Sequence, residues 1–235
     1  MVKIEEYESK VLQIKEINQD IRNFILESPK NFSFAPGQFI SILIPSNGNR
    51  IKRSYSLCSS KLNNKNIDLC INKVDGGMAT SYLFNIKEGD YISFIGPMGA
   101  FKLAAKSMQK DILFVSTGTG IAPFTCMIPY ALERNNNKIT LFAGYKTENV
   151  VLYDNFFRDL LQKFENFKYK RIISLPKNVK YKGDKGYVQD LINKYLKNDF
   201  EGDIYVCGLP EMVEDVYSLL KNKGISKDRI YSEKY

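Results

Sequence analysis

Several features on which many enzymes rely are missing from this sequence of 235 residues. It contains no histidine, and no two of its four cysteines, at positions 58, 70, 126 and 207, are close enough for C-x-x-C spacing. The lack of histidine removes most hydrolytic triads and the commonest general base. The cysteine pattern predicts no metal site, neither a structural zinc nor a two-iron cluster. Chemistry must therefore come from a bound organic cofactor or from carboxylate, hydroxyl and lysine groups.

Long apolar runs and runs of like charge are also absent. No stretch reaches the roughly 20 apolar residues that span a bilayer, and residues 1–8 lack the apolar core of a signal peptide. We therefore expect no membrane span and a cytoplasmic location. The formal net charge is +8, but the lysines are spread evenly, which argues against a nucleic-acid partner. They predict either a solvated surface or a basic face for an acidic protein partner.

The pattern of the chain changes near residue 103. Before it, short strand-like segments, one of them over 53–60, alternate with turns, and a helix is predicted over 78–84. This half predicts a small antiparallel barrel or sandwich. After it, strands and helices alternate, which predicts a doubly wound parallel sheet that binds ligands at the carboxyl ends of its strands. We expect two domains, 1–103 and 104–235.

A glycine turn follows the first predicted strand of the second half. The strand covers 112–115, Thr117-Gly118-Thr119-Gly120 interrupts it, and a helix is predicted from Gly120 to about Arg134 with Pro123 in its first turn. Glycine allows close approach of a phosphate, and the helix N-terminus attracts negative charge. The turn therefore predicts an anion site, although an ordinary strand-to-helix turn has the same pattern. Cys207-Gly208-Leu209 is a second strand end of this kind.

The first half carries two stretches of chemical interest. Arg53-x-Tyr55-Ser56 places a cation, an aromatic face and a hydroxyl close together on one strand. Gly77-Met78-Ala79-Thr80 opens the predicted helix and offers a second anion-binding N-terminus. A polar strand edge and a capped helix would explain each stretch separately. A flavin would use all of these groups together, because it needs a stacking partner, a hydrogen bond and a neutralised diphosphate.

Four motifs in register resemble the ferredoxin–NADP reductase family, and the similarity covers essentially the whole chain. The motifs are Arg53-x-Tyr-Ser, Gly77-x-x-Thr-x-x-Leu83, Gly96-Pro-x-Gly99 and Gly118-Thr-Gly-Ile-Ala-Pro-Phe124. The resemblance implies an N-terminal antiparallel Greek-key β-barrel that binds FAD and a C-terminal doubly wound sheet that binds NAD(P). It also implies an FAD-dependent NAD(P)H oxidoreductase that exchanges hydride between nicotinamide and flavin. Single electrons would pass between the flavin and an acidic ferredoxin or flavodoxin.

The resemblance also assigns site residues. Tyr55 would stack on the flavin ring, and Tyr235, in the final Glu-x-Tyr, would cover the face where nicotinamide enters. The residues assigned to FAD are Arg53, Tyr55, Ser56, Ile71, Lys73, Gly77, Met78, Ala79, Thr80, Thr119 and Tyr235. Those assigned to NAD(P) are Gly118, Thr119, Gly120, Ile121, Ala122, Pro123, Lys146, Ser174, Tyr187, Cys207, Gly208 and Leu209. The residues expected to act in catalysis are Ser56, Cys207, Glu233 and Tyr235.

One departure from the family leaves the nicotinamide cofactor open. NADP-specific members show Ser-Arg-Glu after the third strand, whereas this chain has Ser174-Leu-Pro. Nearby lysines would have to neutralise a 2′-phosphate as mobile point charges, and they are Lys177, Lys180, Lys182 and Lys185. Two alternative functions also stay open: an NAD(P)H:flavin reductase that releases free reduced flavin, and an FAD-holding electron-transfer subunit of a larger complex.

Overall fold

The computed structural model describes residues 5–46, 48–58 and 66–235. Its internal contacts divide the chain into two compact units. The first unit comprises Met1–Lys102 and the short segment Ala122–Met127, and the second comprises Leu103–Ile121 and Ile128–Tyr235. Ser59 and Ser60, the last residues of the strand predicted over 53–60, lie outside the described residues.

The first unit is an antiparallel sheet with one helix. Its strands lie in the order β4-β3-β6-β1-β2-β5, and a bridge between Leu57 and Leu69 joins the two edges of the sheet. The chain leaves the edge strand β5 and returns at the central strand β6, as in a Greek key. The predicted antiparallel barrel is therefore confirmed. The elements are β1 (Glu5–Asn18), β2 (Ile21–Glu27), β3 (Phe39–Ser46), β4 (Asn49–Ser56), β5 (Asn66–Asn72), α1 (Met78–Asn85) and β6 (Tyr91–Met98).

One strand of this unit begins earlier than predicted. The β3–β4 pairing runs from Phe39 with Ser56 back to Ser46 with Asn49, so β4 begins at Asn49 rather than at Arg53. Polar and basic residues fill its first half because β4 lies at an edge and is largely exposed there.

The segment Ala122–Met127 packs with the first unit. The Thr125 hydroxyl donates to the Cys58 carbonyl oxygen at 2.7 Å, and the Cys126 thiol donates to the Leu57 carbonyl oxygen at 3.1 Å. Burial raises the pKa of Cys126 to about 12, so this thiol stays protonated at neutral pH. Both bonds satisfy carbonyl groups in the chain that follows β4.

The second unit contains a parallel sheet in the order β10-β9-β8-β7-β11-β12. Every strand pair in it is parallel, which confirms the predicted doubly wound sheet. The strand order reverses at β7, so the carboxyl ends of β7 and β11 flank the position where such sheets bind ligands. The elements from residue 112 on are β7 (Ile112–Thr117), α2 (Phe124–Leu132), β8 (Ile139–Tyr145), α3 (Asp154–Lys163), β9 (Phe167–Ile173), β10 (Asp184–Lys185), α4 (Val188–Tyr195), β11 (Asp203–Gly208), α5 (Pro210–Asn222) and β12 (Ile230–Lys234).

The predicted helix from Gly120 to Arg134 is wrong at its start. Residues Gly118–Ile121 form one turn of 3-10 helix, and the α-helix begins only at Phe124. Gly118 opens this turn with a φ of +52°, and Pro123 has no N–H with which to continue the turn into the helix. Pro123 therefore precedes α2 rather than lying in its first turn. Within the described residues, no helix has the length and apolar character needed to cross a bilayer.

Candidate nicotinamide and flavin sites

The glycines at the carboxyl ends of β7 and β11 allow an unusually close backbone approach. A Cβ atom on Gly120 would lie 2.3 Å from the Cys207 carbonyl oxygen. A Cβ atom on Gly208 would lie 2.6 Å from Thr117 Oγ1 and 2.3 Å from the end of the Met212 side chain. Main-chain atoms of β11 block a Cβ atom at Gly120, so this position requires glycine, whereas the atoms nearest Gly208 belong to side chains. The structure thereby brings Gly118, Thr119, Gly120, Cys207 and Gly208 into one cradle, as their assignment to a dinucleotide requires.

Two hydroxyl groups beside this cradle are buried and unsatisfied. Ser116 Oγ and Thr117 Oγ1 have no hydrogen-bond partner among the residues that the structure describes. A buried hydroxyl without a partner costs about 1–3 kcal/mol, so an orphaned group next to a glycine cradle fits a bound polar ligand. Thr117 is absent from the predicted residues, because a threonine at the end of a buried strand is common and only its neighbours reveal the unsatisfied hydroxyl.

Tyr235 contacts the same cradle. Its hydroxyl accepts a hydrogen bond from the Gly120 N–H at 3.2 Å and donates one to the Thr117 carbonyl oxygen at 3.0 Å. The Tyr235 N–H points to the Gly208 carbonyl oxygen at 3.4 Å, while about half of the residue (52%) is exposed. The phenol oxygen thus occupies a backbone N–H group in the turn that the sequence predicts as an anion site.

Cys207 and Glu233 are paired neighbours on β11 and β12. Burial raises the pKa of the Cys207 thiol, and the carboxylate of Glu233 raises it further. Burial also raises the pKa of Glu233 from its ordinary value of 4.5 to about 7. The thiol is therefore protonated at neutral pH, and Glu233 can hold or release a proton near neutrality.

The pKa of Glu233 has a measurable effect on stability. Its folded-state pKa lies above its unfolded value, so the folded protein binds the extra proton and loses stability as pH rises from about 4.5 to about 7. We expect Glu233→Gln to remove a loss on the order of 1–2 kcal/mol, allowing for solvent screening of a partly exposed group. Thermal unfolding at pH 5 and pH 8 measures this difference. Glu27→Gln, at an exposed position of β2, is the control; equal pH dependence in both variants would contradict the assignment.

A second group of predicted residues meets at the carboxyl ends of β8 and β9. The Leu175 N–H donates to the Lys146 carbonyl oxygen at 2.8 Å, and the Gly186 N–H donates to the Ile173 carbonyl oxygen at 3.0 Å. Lys146, Ser174 and Tyr187 therefore lie along one edge of the sheet. The Tyr187 N–H donates to the Asp190 carboxylate at 2.7 Å, and the residue is 69% exposed. Such a ring offers a free face for an adenine base.

Sequence reasoning missed Glu148 at this edge. Its carboxylate accepts hydrogen bonds from the N–H groups of Lys177 at 2.9 Å and Asn178 at 3.1 Å. Backbone hydrogen bonds, the first from its own N–H and the next from Lys177, lower the pKa of Glu148. A fixed negative charge thus lies in the loop where lysines were expected to receive a 2′-phosphate. Lys177 and Asn178 both follow Glu148 by about thirty residues in sequence, so no local pattern indicates this contact.

The residues assigned to NAD(P) differ in whether their side chains are exposed to a ligand. Ile121 is fully buried, so only its main chain could meet a ligand. Ala122 and Pro123 are buried as well and belong to the segment that packs with the first unit. Leu209 is 54% exposed, immediately before the first turn of α5.

In the first unit, β4 carries three of the residues that are predicted to bind FAD. Arg53 is exposed, and its guanidinium donates to the Lys52 carbonyl oxygen at 2.8 Å. Tyr55 packs against the hydrophobic core and is half-buried, and burial raises its pKa. Ser56, also half-buried, ends the strand. The strand β4 therefore offers one aromatic ring with packed support and an exposed cation two positions before it.

The N-terminus of α1 offers main-chain N–H groups of the kind that the predicted anion site needs. Gly77 precedes the helix, and no side chain in the described part of the chain caps its first N–H groups. Thr80, assigned to the diphosphate, is buried, and its hydroxyl donates toward the carbonyl oxygens of Val74 and Gly77 while accepting the Val74 N–H. The threonine side chain therefore shapes the turn. The main-chain N–H groups at residues 78–80 are left to receive a negative charge.

The remaining residues assigned to FAD differ in exposure. Ile71 is fully buried, so its side chain belongs to the core. Lys73 is exposed, and its ammonium lies 5.9 Å from the centre of the Phe84 ring. Met78 is 55% exposed, whereas Ala79 is 6% exposed. Of these four, Lys73 and Met78 present side chains at the surface.

Two protein families match this chain, one in its N-terminal half and one in its C-terminal half. The family described as the oxidoreductase FAD-binding domain matches residues 8–103. The family described as the oxidoreductase NAD-binding domain matches residues 114–218. Together the two matches cover most of both units.

Similar proteins include whole reductases and parts of longer ones. The toluate 1,2-dioxygenase electron transfer component of Pseudomonas putida is 29% identical over 233 residues, 97% of this chain and 67% of that protein. Ferredoxin–NADP reductase B of Sorangium cellulosum is 26% identical over 245 residues, 100% of both chains. The crystal structure of the Amycolatopsis cytochrome P450 reductase GcoB matches with a TM-score of 0.88 and 25% identity, covering 100% of this chain and 71% of that one. This chain thus spans about two thirds of the length of the toluate component.

Proposed function

The chain belongs to the ferredoxin–NADP reductase family and is an FAD-dependent NAD(P)H oxidoreductase, and we propose that it delivers single electrons to an acidic ferredoxin or flavodoxin. The proposal depends on the bound cofactors, and the observation that supports them is the joint presence of a glycine cradle with an orphaned Thr117 hydroxyl and an uncapped helix start after Gly77. Each offers backbone donors to a diphosphate group.

Each unit contributes groups suited to its cofactor. In the first, Tyr55 supports a flat ring, Ser56 offers a hydroxyl, and Arg53 with the N–H groups at residues 78–80 receives the diphosphate. In the second, Gly120 and Gly208 let the ends of β7 and β11 approach closely, the turn at residues 118–120 receives the pyrophosphate, and Tyr187 offers a face to the adenine. Bound FAD supplies the exchange between two-electron and one-electron chemistry. The protein has to orient the rings, exclude water and manage one proton, a task that suits Glu233 with its pKa of about 7.

An acidic redox partner is supported by charge and by the relatives. The chain carries a net charge of +8, and an excess of positive charge accelerates encounter with an acidic protein. The name of the Pseudomonas putida relative describes an electron transfer component. We propose the same role for this chain, with a small soluble electron carrier as the acceptor.

The proposed function is tested by anaerobic titration of the purified yellow protein with NADPH and then NADH. Bleaching of the visible flavin band is the expected result. The lysines near Ser174 favour NADPH and the Glu148 carboxylate favours NADH, so the better reductant identifies which of these charges dominates. A colourless protein that stays so after FAD is added would contradict the assignment. Loss of flavin during gel filtration would favour the flavin reductase alternative.

We expect Ser56→Ala to slow flavin reduction by NAD(P)H about 10- to 100-fold while the flavin stays bound. The reason is that one hydrogen bond made in the transition state contributes about 1–3 kcal/mol. Stopped-flow absorbance measures the rate. Ser54→Ala on the same strand, which removes a hydrogen bond to Ser41 Oγ at 3.0 Å, is the matched control. Equal rates in the two variants would assign Ser56 a structural role only.

A further inference from the structure

A groove crosses the parallel sheet at the end opposite the glycine cradle. Its cavity volume is about 820 Å³. Leu113, Thr140 and Lys168 line it, and each is the second residue of its strand. Since a strand rises about 3.3 Å per residue, the groove lies roughly 13 Å from the carboxyl end of β7. The groove is therefore separate from the proposed dinucleotide site.

Lysines dominate the charge of this groove. Five lysines line it, at positions 110, 138, 168, 170 and 197, against the three carboxylates of Asp111, Asp199 and Glu201. Lys110 Nζ lies 3.9 Å from the buried Asp203 carboxylate. Within the described part of the chain, the other four lysines form no ion pair. The Asp111 carboxylate is engaged, because it accepts the Lys138 N–H at 2.9 Å.

One of these ammonium groups is held in place by an aromatic ring. Lys170 Nζ lies 4.0 Å from the centre of the Tyr195 ring. On the same ring, Lys194 Nζ lies 5.0 Å from the centre and is anchored to Asp184 at 2.7 Å. Hydrogen bonding from Lys194, with a smaller contribution from the Lys170 charge, lowers the pKa of Tyr195. Tyr195 thus pre-positions Lys170 at the groove, which reduces the entropy lost on binding an anion.

The walls of the groove are apolar in part. Tyr195 and Phe200 line it, and the buried Leu113 and Phe142 lie beneath it. The Phe142 and Tyr195 rings are 6.3 Å apart. Unpaired ammonium groups match a chain of phosphates, since lysine binds phosphate as a point charge. An inorganic anion would leave the apolar wall uncovered, whereas a cavity of this volume suits a ligand the size of a nucleotide.

We propose that this groove binds a nucleoside polyphosphate, with its phosphate chain on Lys168 and Lys170 and its base against Phe200. This site is additional to the proposed electron-transfer function and independent of it. The residues that form it lie in the second unit alone, and none of them belongs to the glycine cradle.

The experiment is calorimetric titration of the FAD-bound protein with ATP. K168Q/K170Q is expected to raise the Kd for ATP at least tenfold, whereas K221Q/K223Q, at the end of α5, should leave it within twofold. Equal affinity in the two double variants would overturn the proposal, because ATP would then be bound elsewhere, for example at the dinucleotide turn. Tripolyphosphate binding as tightly as ATP would also overturn it, since the base would contribute nothing.

The same variants separate this inference from the proposed function. Flavin reduction by NAD(P)H is expected to be unchanged in K168Q/K170Q. A protein that binds ATP through these lysines but is not reduced by either nicotinamide would contradict the proposed function and leave the groove intact. A protein that is reduced normally but binds no ATP would contradict only the groove.

Discussion

Gly120→Ala is expected to slow flavin reduction by NAD(P)H about a hundredfold while the flavin stays bound. The added Cβ atom would lie 2.3 Å from the Cys207 carbonyl oxygen and 2.8 Å from Gly208 Cα. Because neither backbone atom can yield without moving its strand end, the turn must shift away from β11. A displacement of about 1 Å in a positioning element costs about a hundredfold in rate. Stopped-flow reduction by NADPH and NADH measures the effect.

A control variant has to show that the slower flavin reduction does not result from lower stability of the folded protein. Gly224→Ala is the matched control, because Gly224 has a φ of +82° and no atom within 4 Å of its added Cβ. The strain of a left-handed alanine there costs about 1–2 kcal/mol without touching the cradle. Dithionite reduces the flavin directly and should act equally on both variants. If Gly120→Ala were reduced by NAD(P)H as fast as the control, the cradle would not hold the dinucleotide.

Tyr235→Ser is expected to tighten the binding of the oxidised nicotinamide cofactor about tenfold or more. The wild-type phenol oxygen engages the Gly120 N–H and the Thr117 carbonyl oxygen, and a cofactor bound at the proposed site would have to displace it. A hydrogen bond contributes about 0.5–1.5 kcal/mol, and removal of the ring adds space where the nicotinamide is proposed to stack. Absorbance-difference titration of the FAD-bound protein with NADP⁺ and NAD⁺ gives both Kd values.

Tyr235→Phe separates the two contributions. It retains the ring and removes only the hydroxyl contact with the glycine turn. If Tyr235→Phe tightens binding as much as Tyr235→Ser, the competition is for the Gly120 N–H group. If only the serine variant binds more tightly, the competition is for the ring face. Unchanged affinity in both variants, for both nicotinamides, would remove Tyr235 from the site.

The sequence predicts the main architecture because its signals are local. Short alternating segments indicated the antiparallel barrel, and alternating strands and helices indicated the parallel sheet. Glycines at 118, 120 and 208 marked two strand ends, and the reversal of strand order places those ends next to each other. In these cases the pattern and the three-dimensional cause lie within a few residues of each other.

The features that escaped prediction depend on distant parts of the chain. The Thr117 hydroxyl is noteworthy only because none of the described residues around it is a hydrogen-bond partner, and Gly120 is obligatory because of Cys207 far along the sequence. Glu148 matters through its bonds to the loop at 177–178. The late start of α2 follows from the 3-10 turn over residues 118–121. Helix propensity alone gives no sign of any of these.

The segment Ala122–Met127 has a consequence for how this architecture can be recombined. Thr125 and Cys126 satisfy the carbonyl groups of Cys58 and Leu57, although more than sixty residues separate them from those carbonyls. A fragment ending near residue 103 would lose both donors. A single genetic crossover at that position would likewise join one parent's barrel to the other parent's segment. An exchange that keeps the barrel intact therefore carries residues 122–127 along with it.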